Sequence, residues 1–145
     1  MITALTALLL AAASPGQASQ CGGNTREINE CMSERLGALE GVMSRYVTAA
    51  RDRLKANERE TAPGLGSVGD ALPKFEEAQR TWLRYRDTEC SAVYDYYSPG
   101  SIRNMQALAC KMALTRERTH AIWTAWLTNL DSSPPVLPEP HSAKP

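Results

Sequence analysis

Apolar residues recur every three or four positions along three long stretches of the chain, and this period is typical of amphipathic helices. The first stretch predicts a helix over 25–57, with one largely apolar face formed by Ile28, Cys31, Arg35, Leu39, Val42, Tyr46, Ala50 and Leu54. The second predicts a helix over 72–97, and the third a helix over 102–130. No stretch sustains an alternation of apolar and polar residues, so the sequence predicts no β-sheet.

Glycine and proline separate these stretches. Residues 58–71 contain Pro63, Gly64, Gly66 and Gly69, and this density of helix breakers predicts a loop. Ser98-Pro99-Gly100 predicts a turn between the second and third helices. The expected fold is therefore an all-α, three-helix antiparallel assembly in which the last two helices form a hairpin.

The two ends of the chain differ from this helical domain, which we place at 19–130. Residues 1–18 hold a short apolar run followed by small residues, which predicts a signal peptide cleaved near Ala18 and export to the periplasm or beyond. The run is too short to span a bilayer, and Gln20 before Cys21 argues against lipid attachment. The alternative is a buried N-terminal helix. Residues 131–145 hold five prolines and predict a disordered tail.

All four cysteines lie in the domain expected to remain after cleavage. An even number of cysteines in a small exported chain indicates two disulfides, although sequence alone allows three pairings. Cys90 and Cys110 lie at similar distances on either side of the predicted turn, so a helical hairpin would bring them level. We therefore predict the pairs Cys90–Cys110 and Cys21–Cys31. Without a C-x-x-C pair, a zinc site is not expected.

Charge and motifs argue against several functions. Lys plus Arg and Asp plus Glu both number 16, so the chain has no overall positive field with which to attract nucleic acid. No phosphate-binding glycine loop, Gly-x-Ser-x-Gly elbow or H-E-x-x-H motif is present, and the two histidines stand apart. The pair Glu76-Glu77 is explained by solvated helix charges as well as by glycoside chemistry. We expect no enzyme activity, no cofactor and no metal.

Arg86 is unusual because it falls on the apolar face of the second helix, between Trp82 and Cys90. A charge in that position needs a partner, since an unpaired buried charge is costly. Glu117 on the opposing helix is the predicted partner in a structural salt bridge, and Glu27 is a second possibility. The functional alternative is an arginine that faces a binding partner.

Tyr94, Tyr96 and Tyr97 lie just before the predicted turn. Three tyrosines within four residues cannot share one helix face, so at least one should be exposed. Tyrosine beside a loop is a common anchor in protein interfaces. With Arg103 nearby, these residues form the predicted partner-binding site, whereas Trp123 and Trp126 are expected to pack in the core.

Several of these residues together resemble the LprI-type lysozyme-inhibitor family of small bacterial envelope proteins. The resemblance lies in the four ordered cysteines, in Gln79-Arg80-x-Trp82 and Arg86-Asp87 before Cys90, and in Leu114-Thr115-x-Glu117-Arg118 after Cys110. It covers about Cys21 to Leu127.

This resemblance implies a protein that binds the cleft of a lysozyme-like muramidase. Such clefts present two carboxylates, so a basic group on a protruding turn is expected to bind there and block the cleft. The turn from Tyr94 to Arg103 is the expected contact, with Arg103 as the basic group. Fold alone does not establish function, and the alternative is an envelope protein-interaction module without inhibitory activity.

Overall fold

The computed structural model describes residues 21–60 and 70–140, and these residues form three α-helices. The helices are α1 (Thr25–Glu60), α2 (Ala71–Tyr96) and α3 (Arg103–Ile122), and a π-helical turn, Trp123–Leu127, follows α3. The described residues contain no strand, which confirms the all-α three-helix prediction. The predicted signal peptide and most of the predicted loop lie outside the described residues.

The start of α1 is fixed by reciprocal capping. The Asn24 side-chain oxygen accepts hydrogen bonds from the amides of Arg26 and Glu27, and a carboxylate oxygen of Glu27 accepts one from the Asn24 amide. These bonds satisfy backbone donors that a helix otherwise leaves unpaired in its first turn. Cys21 is bonded to Cys31, so the segment before α1 is tied to its first turns, as predicted.

The main apolar core lies where the C-terminal half of α1 meets the start of α2 and the end of α3. Its buried side chains are Met43, Tyr46, Val47, Ala50, Leu54, Phe75, Ile122 and Leu127. The rings of Phe75 and Trp126 meet edge to face, with their centroids 5.6 Å apart. Each fully buried large side chain contributes about 1.5–3 kcal/mol, so this end of the bundle contains most of the apolar stabilisation.

A disulfide between Cys90 and Cys110, whose Cα atoms are 5.6 Å apart, links α2 to α3. This disulfide confirms the second predicted pairing. The start of α1 lies beside the start of α3, and the Arg53 guanidinium near the end of α1 donates to the Thr128 carbonyl beyond α3. Helices α1 and α3 therefore run parallel, with α2 antiparallel to both.

Residues 131–140 do not form the disordered tail that the sequence predicts. The Tyr46 hydroxyl donates to the Pro138 carbonyl at 2.7 Å, and the Trp123 indole donates to the Leu137 carbonyl at 2.9 Å. The Leu137 side chain also packs against the core. Prolines prevent a helix here, but they leave carbonyls free to accept these bonds, and the two aromatic donors need acceptors when buried. Residues 141–145 lie outside the described residues.

Candidate partner-binding site

The turn between α2 and α3 is closed by its own backbone. The Ser98 amide donates to the Asp95 carbonyl at 3.0 Å, and the Gly100 amide donates to the Tyr97 carbonyl at 2.8 Å. A Cβ atom at Gly100 would lie 2.9 Å from that same Tyr97 carbonyl oxygen, closer than such atoms normally approach. Glycine is therefore the residue that fits this turn, which has a defined shape rather than a loose connection.

Tyr94 and Arg103 form a pair at the base of the turn. The Arg103 guanidinium carbon lies 4.9 Å from the centre of the Tyr94 ring, a cation–π arrangement worth about 0.5–1 kcal/mol at an exposed site. One guanidinium nitrogen is also 3.5 Å from the Ser98 hydroxyl oxygen. No acidic side chain among the described residues pairs with Arg103, so its charge is positioned but not neutralised.

Tyr96 and Tyr97 form a second aromatic pair at the tip. Their rings meet edge to face with centroids 5.1 Å apart, and Tyr96 is 82% exposed. Ile102, on the other side of the turn, is also exposed. Large apolar side chains in solvent at a protruding turn are typical of protein-contact sites.

Three of the four residues predicted as a site line two separate grooves, and Arg103 lines neither of them. Tyr94 lines a groove against the start of α1, together with polar side chains that include Asn29, Asn104 and Lys111. Tyr96 and Tyr97 line a shallow groove between α2 and α3 whose other walls include Ala92, Ala109 and Ala113. Sequence reasoning missed Asn29 and Lys111, because only the fold brings Asn29 on α1 to the same groove as Lys111 on α3.

Arg86 is buried, but its partner is not the predicted Glu117. One guanidinium nitrogen donates to a Glu40 carboxylate oxygen at 2.8 Å and to the Thr115 hydroxyl at 3.1 Å. The neighbouring Asp87 accepts two longer bonds from the same guanidinium. The disulfide sets the level of α2 against α3 so that Thr115 faces Arg86, whereas Glu117 is exposed two residues farther along α3. Glu27, the second possibility, instead caps α1.

Two guanidinium groups lie near the ring of Trp82. The Arg86 and Arg118 guanidinium carbons are 5.4 and 6.0 Å from the centre of its ring. Arg118 donates to the Gln79 side-chain oxygen at 3.0 Å, and burial lowers the pKa of Arg118. Because these residues bond to one another in the interior, most of the Gln-Arg-Trp and Arg-Asp pattern stabilises the bundle.

Glu76 and Glu77 are held in ion pairs. Glu76 accepts a hydrogen bond from Arg51 at 2.9 Å, and Glu77 accepts one from Arg80 at 2.7 Å. The hydrogen bond from Arg80 is the main cause that lowers the pKa of Glu77. A general acid for glycoside cleavage needs a raised pKa, so this environment favours the structural interpretation of the pair.

Two further findings concern membranes and metals. None of the helices in the described part of the chain is long and apolar enough to cross a membrane. Within residues 21–60 and 70–140, no group of three or more His, Cys, Asp or Glu side chains is arranged to hold a metal ion.

Comparison with known proteins places most of the chain in one family. The sequence profile of the family described as "Lysozyme inhibitor LprI" matches residues 17–122. An uncharacterised protein of Rhizobium meliloti (strain 1021) is 26% identical over 118 residues, covering 77% of this chain and 85% of that protein. No solved structure gives a significant match.

Proposed function

The chain belongs to the LprI family of lysozyme inhibitors, and on that premise we propose that it binds and blocks a lysozyme-like muramidase. The proposed contact surface is the turn from Tyr94 to Arg103. The observation that carries this proposal is the Arg103 guanidinium, which is fixed on the Tyr94 ring without an acidic partner among the described residues. A muramidase cleft presents two carboxylates, to which such a cation is complementary.

The surroundings of Arg103 support binding by a preformed surface. The disulfide Cys90–Cys110 and the closed backbone of the turn reduce the conformational freedom that would be lost on association. Tyr96 adds an exposed ring close to the same turn, and tyrosine and arginine are among the residue types that dominate interface energies.

A turbidity assay with lysozyme and a suspension of bacterial cell walls tests this function. We expect the oxidised protein, in molar excess, to stop the clearing of the suspension. Clearing at the rate seen with lysozyme alone would remove the proposal.

Two matched variants test the surface separately. Arg103→Gln should weaken inhibition by about tenfold or more, the loss expected when one charge-assisted contact is removed. Arg84→Gln is the control, because Arg84 is 74% exposed on α2 and pairs with Glu77 rather than with residues of the turn. Inhibition that persists in both variants would place the contact surface elsewhere while leaving the inhibitory function in place.

The second candidate function is a protein-interaction module of the cell envelope without inhibitory activity. The formal net charge of zero favours it, because a neutral protein gains little electrostatic steering towards a basic enzyme. Normal lysis in the turbidity assay, together with recovery of the same non-lysozyme partner in repeated pull-downs, would support this alternative.

Both functions require export, which we propose occurs through cleavage after Ala18. Two disulfides and this family are typical of extracytoplasmic proteins, because such bonds persist in oxidising compartments. N-terminal sequencing of the protein purified from the periplasm or culture medium should begin at Ser19. A mature protein that retains residues 1–18 would contradict the signal-peptide prediction.

A further inference from the structure

A second concave site lies between α1 and α3, away from the turn. It is a cavity of about 350 Å³, and we call it the strap groove because residues 138–140 close one side of it. Much of its wall is apolar, formed by Leu39, Val42, Tyr46 and Pro138. A volume of this size and an apolar lining with few polar groups are typical of sites for small ligands.

The polar side chains of the strap groove carry excess positive charge. Arg45 and Arg116 both line it, and neither has a hydrogen-bond or ion-pair partner among the described residues. The Nε atom of Arg116 is buried without an acceptor, which leaves a donor whose desolvation costs about 1–3 kcal/mol. A ligand that supplies an oxygen acceptor would offset this cost.

The carboxylate at the rim does not neutralise these arginines. An oxygen of Glu139 lies 3.1 Å from Nε2 of His120, so this carboxylate is engaged with the histidine. The Tyr46 hydroxyl is also occupied, since it donates to the Pro138 carbonyl. The two guanidinium groups therefore remain as donors in the lining of a largely apolar groove.

We propose that the strap groove binds a small organic monocarboxylate with an apolar body. The carboxylate would accept hydrogen bonds from Arg116 and Arg45, a pairing that guanidinium geometry favours. The apolar body would lie against Leu39 and Val42. The Glu139 carboxylate at the rim disfavours ligands with two negative charges. This site is separate from the turn, so its occupancy does not depend on lysozyme inhibition.

Hexanoate is a suitable probe, with 1-hexanol as its neutral counterpart and inorganic phosphate as an anion without an apolar body. Titration of the oxidised full chain, followed by amide NMR, should give saturable shifts with hexanoate at 116–120 and at Glu139, which has the one amide N–H in 138–140. Hexanol and phosphate should give little shift at the same concentrations. Equal shifts with hexanol or phosphate, or no saturable shift with hexanoate, would overturn the proposal.

Three variants locate the site independently of the shift map. Arg116→Gln and Arg45→Gln should each weaken hexanoate binding by about tenfold, as expected for the loss of one charge-assisted contact. Arg35→Gln is the matched control, because Arg35 is on α1 but does not line the strap groove. Unchanged binding in both groove variants would contradict the assignment. If either variant fails to fold, the shift map of the unaltered protein decides the question alone.

Discussion

The ion pair between Glu40 and the buried Arg86 joins α1 to α2, and a double-mutant cycle can measure the strength of the interaction. The perturbations are Glu40→Gln and Arg86→Met, alone and combined. Glutamine keeps the shape of Glu40 without its charge, and methionine keeps much of the length of Arg86 without a donor. The cycle isolates the interaction because the double variant removes both charges together.

The structure sets the size of the expected coupling. Unit charges about 4 Å apart near a protein surface attract by about 4 kcal/mol. Water around Glu40, whose side chain is 42% exposed, screens part of that attraction, whereas burial of Arg86, 7% exposed, limits the screening on its side. We therefore expect a net coupling of about 2 kcal/mol, within the range for hydrogen bonds to charged groups.

The assay is urea unfolding of the oxidised protein, followed by far-UV circular dichroism, with equal slopes required across the four proteins. The surface pair Arg26–Glu30 provides the control cycle, because its side chains are 85% and 59% exposed. We expect coupling of about 0.3–0.5 kcal/mol there. A Glu40–Arg86 coupling no larger than that of the control pair would refute the reasoning that burial of Arg86 strengthens this ion pair.

Three further changes test other parts of the structure. Gly100→Ala should destabilise the turn, because the new methyl group would lie 2.9 Å from the Tyr97 carbonyl oxygen; a thermal melt no lower than that of the unaltered protein would contradict this. Tyr46→Phe removes the hydrogen bond to Pro138 and should cost about 1 kcal/mol, with faster proteolysis of residues 131–140. Hydrogen bonds from the Ser133 hydroxyl and amide lower the pKa of Asp131. The ionised carboxylate, which accepts both bonds, therefore stabilises the turn at 131–133. This stabilisation of the turn is complete above the ordinary pKa of an aspartate and is lost as the pH falls through the lowered pKa. The NMR shift of the Ser133 amide should follow this change with pH, and Asp131→Asn should abolish the pH dependence of that shift.

The sequence predicts the helices and both disulfides because these depend on local or nearly local relationships. The three-to-four-residue period marks the apolar face of each helix. Cys90 and Cys110 lie at similar distances from the turn at Pro99, so an antiparallel hairpin places them opposite each other. The cap of α1 is less predictable. Thr25 is an acceptable cap by residue type, but Asn24 takes the role because Glu27 can bond back to its amide.

Contacts between distant segments could not be predicted in the same way. Glu40 is 46 positions from Arg86, and nothing in the local pattern ranks it above Glu117 or Glu27 as a partner. The segment 131–140 has a composition typical of disorder, and its order depends on donors from Tyr46 and Trp123. Arg116 likewise becomes notable only when the fold encloses its Nε atom.

The two disulfides and the apolar core lie at opposite ends of the bundle. Cys21–Cys31 and Cys90–Cys110 tie the end that carries the turn, whereas Phe75, Leu127 and their neighbours fill the other end. The chain-entropy model assigns about 3 kcal/mol to the hairpin crosslink, whose cysteines are 20 positions apart. Reduction should therefore accelerate hydrogen exchange mainly around the tip, while amides near Phe75 stay protected. After reduction, the end of the bundle that carries the turn would therefore open locally more often than the end that contains the apolar core.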